Sequence, residues 1–184
     1  MYWCAIAWLI ACWLLWVYPF MRQRGSGPKR ESVVMAPAAR WGIILESISY
    51  GLVWFYVEGA VHPGVVRMAA SMVVAALSTA FVWWAVRHLG KQWRIQAGLY
   101  EDHQLVRTGP YHIVRHPIYL SMFGMLLATG LLMTPWVRFL IAIVIFIAGN
   151  EIRIRSEEKL LHERFGETFE AYQKEVAAYV PYLR

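Results

Sequence analysis

Charged residues are scarce in this chain. Asp, Glu, Lys and Arg make up 16% of its 184 residues, whereas a soluble domain usually carries about 25%. Hydrophobic residues reach 59%, with ten Trp and ten Tyr among them. Amphipathic rings of this kind are enriched at the interfaces of a bilayer. The shortage of charge therefore predicts a membrane protein.

Cysteine is also rare. Cys4 and Cys12 both lie in the first apolar run, where we expect small apolar side chains and neither a disulfide framework nor a metal site. The same run lacks a basic leader and a small-residue cleavage site. We therefore interpret it as a retained span, not as a signal peptide.

Five apolar stretches fit a bilayer core, which takes about 20 apolar residues per helix. They run over residues 2–20, 41–61, 65–89, 117–133 and 135–150. Because five spans use most of the chain, an active site has to be built from helix ends and short loops. We predict an all-α integral membrane fold with spans one to three in residues 1–88 and a functional region in residues 89–184.

The net charge of +6 would suggest nucleic acid in a soluble protein, but here the basic residues cluster in three places. They lie between spans one and two, between spans three and four, and after span five. An external N-terminus and a cytoplasmic C-terminus put all three clusters on the cytoplasmic side, as the positive-inside rule requires. We expect no nucleic-acid partner and a site that faces the cytoplasm, in an inner membrane or the endoplasmic reticulum.

Two segments are more than simple spans. Residues 90–115 form a long polar connection, and loops of this length are often functional. Residues 151–179 are predicted to continue span five as a helix, with a break at Gly166. Beyond the break an amphipathic stripe either lies on the membrane surface or covers the loop. Its members, spaced i, i+3 and i+7, are Phe169, Tyr172 and Val176.

Polar residues crowd the exit of span five. On a helix, Asn150, Arg153 and Glu157 share one face, whereas Glu151, Arg155 and Glu158 share another. The spacing alone favours a solvated helix with i,i+4 pairs such as Glu151–Arg155 and Arg153–Glu157.

A set of motifs in fixed order resembles the isoprenylcysteine carboxyl methyltransferase family and its phospholipid methyltransferase relatives. The resemblance covers residues 89 to 184, about half of the chain. The motifs are Gly109-Pro110-Tyr111, Arg115-His116-Pro117-Ile118-Tyr119, Arg153-x-Arg155-x-Glu157-Glu158-x-x-Leu161, Phe165-Gly166, Tyr172 and Val180-Pro181. One position departs from the pattern: Phe169 stands where many relatives have tyrosine, and we expect it only to pack.

The resemblance implies S-adenosylmethionine as cofactor, held between the loop and the helix ends. In keeping with this, no predicted strand leads into a Gly-x-Gly-x-x-Gly turn. We expect no metal, because His116 has no second His or Cys at a suitable spacing, and His112 could equally be a surface residue. The implied cofactor-binding residues are Gln104, Leu105, Val106, Gly109, Pro110, Tyr111, His112, Arg115, His116, Pro117, Tyr119, Glu157 and Glu158.

The family's catalytic arginine falls on Arg153, which the resemblance implies binds and orients an acceptor carboxylate through its fork of N–H groups. A carboxylate is already ionised at neutral pH and needs no general base. An amine or thiol acceptor would need one, and Glu157, Glu158 or His116 could serve. The sequence leaves this open, so Arg153 and Glu157 are the catalytic candidates.

Two acidic residues lie within span two, where charge is usually functional. Glu46 is near the cytoplasmic side and is a candidate substrate contact. Glu58 is near the outer end, where it can snorkel to the interface.

The sequence thus predicts a membrane-embedded methyltransferase for a lipophilic acceptor, with the α-carboxylate of a prenylated cysteine favoured. The alternatives are N-methylation of a phospholipid amine and S-methylation of a hydrophobic thiol. A sterol-reductase-like enzyme that uses NADPH is less favoured because the chain is short. A non-catalytic membrane binding module is also less favoured because the motif residues are intact.

Overall fold

The computed structural model describes residues 1–24, 34–35, 37–55, 61, 63–90, 98–99 and 104–179. Within these ranges most of the chain is helical, and the rest consists of one pair of two-residue strands and short connecting segments. The helices are α1 (Tyr2–Arg24), α2 (Ala39–Trp54), α3 (Val65–Leu89), α4 (Pro117–Met133), α5 (Trp136–Phe165) and α6 (Glu167–Glu175). A 3₁₀ turn, Gly109–His112, precedes α4.

The strands β1 (Val34–Met35) and β2 (Gly98–Leu99) pair antiparallel, with Val34 opposite Leu99 and Met35 opposite Gly98. The pairing joins the connection after α1 to the connection after α3. The two strands therefore lie at the same end of the bundle.

Several helices match the predicted spans. The bounds of α3 and α4 coincide with the predicted 65–89 and 117–133. Within the described ranges, two helices are long and apolar enough to cross a membrane, Tyr2–Arg22 and Val65–Leu89, and Pro117–Met133 is a shorter apolar helix. The second predicted span is described as helix only to Trp54, and Glu58 lies outside the described residues. The five-span topology and its orientation stay predictions.

The outer surface of the bundle is apolar. Large apolar side chains are exposed on α1, α2, α3 and α5, including Leu14, Ile48, Leu77 and Val144. No residue of α4 is exposed, so α4 is the central helix and the others surround it. An apolar belt of this extent is unusual on a soluble monomer and is what lipid contact requires.

Polar side chains link the helices inside the bundle. Ser71 on α3 donates to the carbonyl of Ala128 on α4 at 2.7 Å. Ser49 on α2 donates to the carbonyl of Ala142 on α5 at 2.7 Å. Hydrogen bonds of this kind hold apolar helices together where the hydrophobic effect does not favour association.

Helices α2 and α5 approach most closely at two glycines. A Cβ atom on Gly149 would lie 2.8 Å from the carbonyl oxygen of Gly42 and 3.1 Å from the backbone nitrogen of Glu46. Small residues at a crossing let two backbones pack directly, as in membrane helix pairs. The crossing brings Glu46 next to the polar part of α5.

Gly149→Ala should therefore destabilise the protein by about 1–3 kcal/mol, because the added methyl group has to push α2 and α5 apart. Thermal unfolding in detergent micelles measures the effect. Gly51→Ala on α2 is the matched control, since its Cβ would meet nothing within 4 Å and alanine favours a helix. Equal melting temperatures for the two variants would contradict the tight crossing.

The segment after span five is helical as predicted, and it breaks at Gly166 between α5 and α6. The prediction of helix up to Tyr179 is wrong at its end. Helix α6 stops at Glu175, and Ala177 forms a parallel bridge with Val114. The backbone N–H groups of Arg115 and His116 donate to the carbonyls of Ala177 and Ala178, each at 2.8 Å. Residues 176–179 thus form an extended segment, here called the strap, that runs beside residues 114–116. Its carbonyls accept hydrogen bonds from the backbone N–H groups of Arg115 and His116, which would lack these partners if α6 continued as a helix.

Candidate functional site

A pocket lies where α3 ends, α4 begins and α5 leaves the bundle. The cavity that its residues surround has a volume of about 50 Å³, smaller than the roughly 300–1,000 Å³ of a typical ligand pocket, so a ligand of nucleoside size would have to widen it. The lining residues are Leu89, Gln104, Leu105, Val106, Tyr111, Arg115, His116, Glu157, Leu161, Phe169 and Tyr172.

The loop before α4 is held against α3 at Gly109. Its φ of +61° favours glycine, and a Cβ there would lie 2.4 Å from the ring of His88. Pro117 then begins α4, a position where its fixed φ suits a helix and its missing N–H costs nothing. These two residues place Tyr111 and His116 on the pocket wall.

Arg115 connects the parts of the site. Its Nε and Nη2 donate to Oε1 of Glu158 at 2.9 and 2.7 Å. Its Nη1 donates to the carbonyl of Gln173 at 3.2 Å and also to that of Val176. The arginine is 6% exposed. It therefore ties the α4 entry to α5, to α6 and to the strap of residues 176–179.

Glu158 receives further donors. His116 Nε2 lies 3.2 Å from its Oε1, and Gln173 Nε2 donates to its Oε2 at 3.1 Å. Burial opposes ionisation of this carboxyl, but the hydrogen bonds and positive charges of His116 and Arg115 outweigh it and lower its pKa to about 2. Glu158 is thus an ionised anchor for the residues around it.

This pKa predicts an acid dependence of stability. A carboxyl whose pKa falls from 4.5 to about 2 on folding adds about 3 kcal/mol that is present in full above pH 4.5 and is lost as the pH falls through about 2. The free-energy difference between wild type and Glu158→Gln should shrink accordingly over this range. Denaturant unfolding at several pH values measures it, and a constant difference would contradict the assignment.

Arg153 lies deeper, between α2, α4 and α5. Its Nη1 donates to Oε2 of Glu46 at 2.5 Å, and its guanidinium carbon lies 4.7 Å from the centre of the Tyr119 ring. The exposed fractions of Glu46 and Arg153 are 3% and 9%. The ion pair and the cation–π contact fix the guanidinium inside the bundle.

Tyr119 links this buried ion pair to the pocket. Its hydroxyl donates to Oε2 of Glu157 at 2.9 Å, and Glu157 lines the pocket. A continuous polar column therefore runs from Glu46 through Arg153 and Tyr119 to Glu157. This column joins the interior of the helix bundle to the pocket at the end of the bundle.

The structure places the predicted site residues in three groups. Seven of the predicted cofactor residues line the pocket: Gln104, Leu105, Val106, Tyr111, Arg115, His116 and Glu157. Gly109, Pro110, Pro117, Tyr119 and Glu158 lie behind the wall and support it. His112 is exposed. Their roles toward a cofactor stay predictions.

Sequence reasoning did not assign four lining residues, Leu89, Leu161, Phe169 and Tyr172. The signal for the last two was the amphipathic stripe on α6, whose members are buried with Val176. Of its two predicted placements the structure shows the second, because the stripe covers the loop. The Tyr172 hydroxyl donates to the carbonyl of Tyr111 at 2.5 Å. Phe169 is fully buried, as expected of a packing residue.

The ion pairs on α5 differ from the simplest interpretation of their spacing. Arg155 pairs with Glu151 at 2.7 Å as predicted, and this arginine is 68% exposed. Arg153 pairs with Glu46 on α2, a partner outside α5 that the spacing does not predict. Within the described ranges, no three side chains of His, Cys, Asp or Glu come together in a way that could hold a metal ion.

A sequence profile of the isoprenylcysteine carboxyl methyltransferase family matches residues 69–163, just over half of the chain. The chain belongs to this family. The matched range holds the pocket loop, α4 and the α5 motif, and it leaves out Glu46, Tyr172 and the strap.

Curated relatives extend the comparison. Protein-S-isoprenylcysteine O-methyltransferase of Schizosaccharomyces pombe is 35% identical over 83 residues, which are 45% of this chain and 35% of that protein. The enzyme of the same name from Saccharomyces cerevisiae is 37% identical over 82 residues, 45% of this chain and 34% of that protein. The nickel-cobalt-cadmium resistance protein NccN of Alcaligenes xylosoxydans xylosoxydans is 30% identical over 138 residues, 65% of this chain and 64% of that protein. The matches thus span about a third of the length of the two yeast enzymes.

Proposed function

We propose that this chain is a membrane-embedded methyltransferase that uses S-adenosylmethionine and methylates the carboxylate of a lipophilic acceptor, such as the α-carboxylate of a prenylated cysteine. The observation that carries the proposal is the polar column. It runs from a buried arginine between apolar helices, through Tyr119, to a carboxylate on the pocket wall. Membership of the isoprenylcysteine carboxyl methyltransferase family supports methyl transfer as the reaction that this site performs.

The residues that line the pocket match the chemistry of a ligand that carries both a planar ring and a charged amino-acid group. Leu89, Leu105, Leu161, Phe169 and Tyr172 provide an apolar wall for a ring. The polar lining, Gln104, Arg115, His116 and Glu157, provides donors and acceptors for an ammonium, a carboxylate and hydroxyl groups. S-adenosylmethionine, when bound, supplies an activated methyl group on a sulfonium.

Arg153 would orient the acceptor. Its guanidinium lies against the Tyr119 ring, and the Tyr119 hydroxyl donates to Glu157 on the pocket wall. An acceptor carboxylate needs no base, so the site has to align two reactants and exclude water. A buried arginine in a fixed position can align the acceptor carboxylate, and the apolar helices around it exclude water. The acceptor's lipid chain would lie among the apolar helices.

The same proposal includes the topology. Five spans with a cytoplasmic C-terminus would open the pocket to the cytoplasm, where the cofactor is made, while the acceptor enters from the bilayer. The proposal places the protein in a cell inner membrane or the endoplasmic reticulum. Neither a metal nor a nucleic acid takes part in it.

The test is to incubate the purified protein with methyl-labelled S-adenosylmethionine and, separately, an S-prenylcysteine, a phosphatidylethanolamine and an alkyl thiol. A base-labile product on the prenylcysteine identifies a methyl ester and supports the proposal. Label on the amine or the thiol would assign the other acceptor class. Absence of S-adenosylmethionine binding would overturn the proposal.

A further inference from the structure

The buried Glu46–Arg153 pair poses a difficulty for a carboxylate acceptor, because the arginine already holds a carboxylate. If Glu46 stayed ionised at 2.5 Å from Arg153, an incoming carboxylate would bring a second negative charge into the same buried place. Two like charges about 4 Å apart repel each other, and the repulsion is stronger in a buried place than in water. One of the two carboxylates therefore has to give way.

The Glu46 carboxylate is the one that can be displaced, because its hydrogen bonding is incomplete. Its Oε1 is buried and has no hydrogen-bond partner among the residues that the structure describes, although a buried ion pair is stable only when its remaining lone pairs are satisfied. Asn150 Oδ1, on the same helix as Arg153, is in the same condition within those residues. The polar groups around the guanidinium are thus incompletely satisfied until something else binds.

Arg153 itself is held in place by packing. A Cβ on Gly42 would lie 2.4 Å from Cγ and 3.2 Å from Cδ of Arg153, so the arginine stem lies in the groove that this glycine leaves in α2. The Tyr119 ring covers its head. When an acceptor arrives, the part of the pair that can change is the Glu46 carboxylate.

We infer that Glu46 is a stand-in for the acceptor carboxylate: it neutralises Arg153 while the acceptor site is empty, and the acceptor displaces it. Glu46 is then a specificity-determining residue that acts through Arg153. Because an acceptor has to displace Glu46 before it can bind Arg153, Glu46 weakens acceptor binding. Residue 46 lies outside the range that the family profile matches, so the inference concerns this chain's own α2. It rests on the proposed function and deepens it.

The test compares wild type with Glu46→Gln, which keeps the shape and removes the charge. At saturating S-adenosylmethionine, KM for an S-prenylcysteine should fall at least about tenfold, while kcat and S-adenosylmethionine binding stay near wild type. Glu163→Gln, at a 55% exposed carboxylate of α5, is the matched control and should leave KM unchanged. A purely supporting role for Glu46 would instead lower kcat or raise KM, and either result overturns the inference.

A second variant covers the case in which Glu46→Gln does not fold. Glu46→Asp draws the carboxylate back by one methylene and weakens the pair that the acceptor displaces. Its KM should move in the same direction by a smaller factor, and an unchanged or raised KM counts against the inference.

A binding measurement separates this inference from the proposed function, because it needs no turnover. Dodecanoate should raise the melting temperature of Glu46→Gln more than that of wild type, whereas dodecyltrimethylammonium, a cation of the same chain length, should not. Equal shifts with dodecanoate overturn the inference even in an active enzyme. An enzyme that makes no methyl ester but shows the unequal shifts overturns only the proposed function.

Discussion

Replacing Arg153 by alanine should lower kcat/KM for carboxyl methylation by about 10²–10³-fold, because the group that aligns the acceptor is lost. Binding of S-adenosylmethionine should change little, since Arg153 lies behind the pocket wall and not on it. Methyl transfer to an S-prenylcysteine measures the first quantity, and equilibrium binding of labelled S-adenosylmethionine measures the second.

Two variants make this prediction specific. Arg155→Ala removes an arginine two residues away that is 68% exposed and pairs within its own helix, and its activity should stay near that of wild type. Arg153→Lys keeps the charge but loses the planar fork, so it should recover only part of the activity. If Arg153→Ala abolished cofactor binding as well, the role assigned to Arg153 would be wrong.

The contrast between these two arginines shows where sequence reasoning stops. The motif Arg153-x-Arg155 gives both residues the same local spacing to an acid, and the i,i+4 pattern predicts a pair for each. The structure confirms it for Arg155. Arg153 reaches Glu46, which is 107 residues away in sequence, because two glycines let α2 and α5 approach closely. A single sequence carries no signal for that pairing.

The helices themselves were largely predictable, because each depends on its own residues. The apolar run of α3 ends at Gly90, which has a positive φ, and α4 starts at a proline, so both helices were predicted with their observed bounds. The pocket loop was also predictable as a functional segment. Its contacts with α6 were only partly predictable, since the stripe of Phe169 and Tyr172 fitted either a membrane surface or a loop.

The strap of residues 176–179 was missed for a physical reason. Its sequence continues the helical pattern of α6, and nothing local favours an extended strand. The conformation is set by what lies opposite: the N–H groups of Arg115 and His116 and the guanidinium of Arg115 all require acceptors. Tertiary hydrogen bonds therefore override the local preference.

Arg115→Ala should have the second large effect, because this one side chain holds Glu158, the carbonyl of Gln173 and the strap together. Removing it leaves a buried carboxylate with fewer partners and costs about 3–5 kcal/mol of stability. Since the unfolding free energy of a protein is only about 5–15 kcal/mol, the variant should melt well below wild type, and binding has to be measured at a temperature where it is folded. Its affinity for S-adenosylmethionine should fall by about 10²-fold, or about 3 kcal/mol, because the pocket wall is no longer preorganised.

Arg107→Ala is the matched control for Arg115→Ala. Arg107 also ties the loop to α6, through a 2.6 Å pair with Glu175, but its side chain is 37% exposed and that of Glu175 is 64% exposed. An exposed pair is worth about 0–1 kcal/mol, so this variant should melt close to wild type and bind the cofactor nearly as well. Thermal unfolding and equilibrium binding on the two variants decide the point. If they behaved alike, burial of the Arg115–Glu158 pair would not be what holds the loop in place. The loop would then have to be held by the close approach of Gly109 to His88 and by the hydrogen bond from the Tyr172 hydroxyl to the carbonyl of Tyr111.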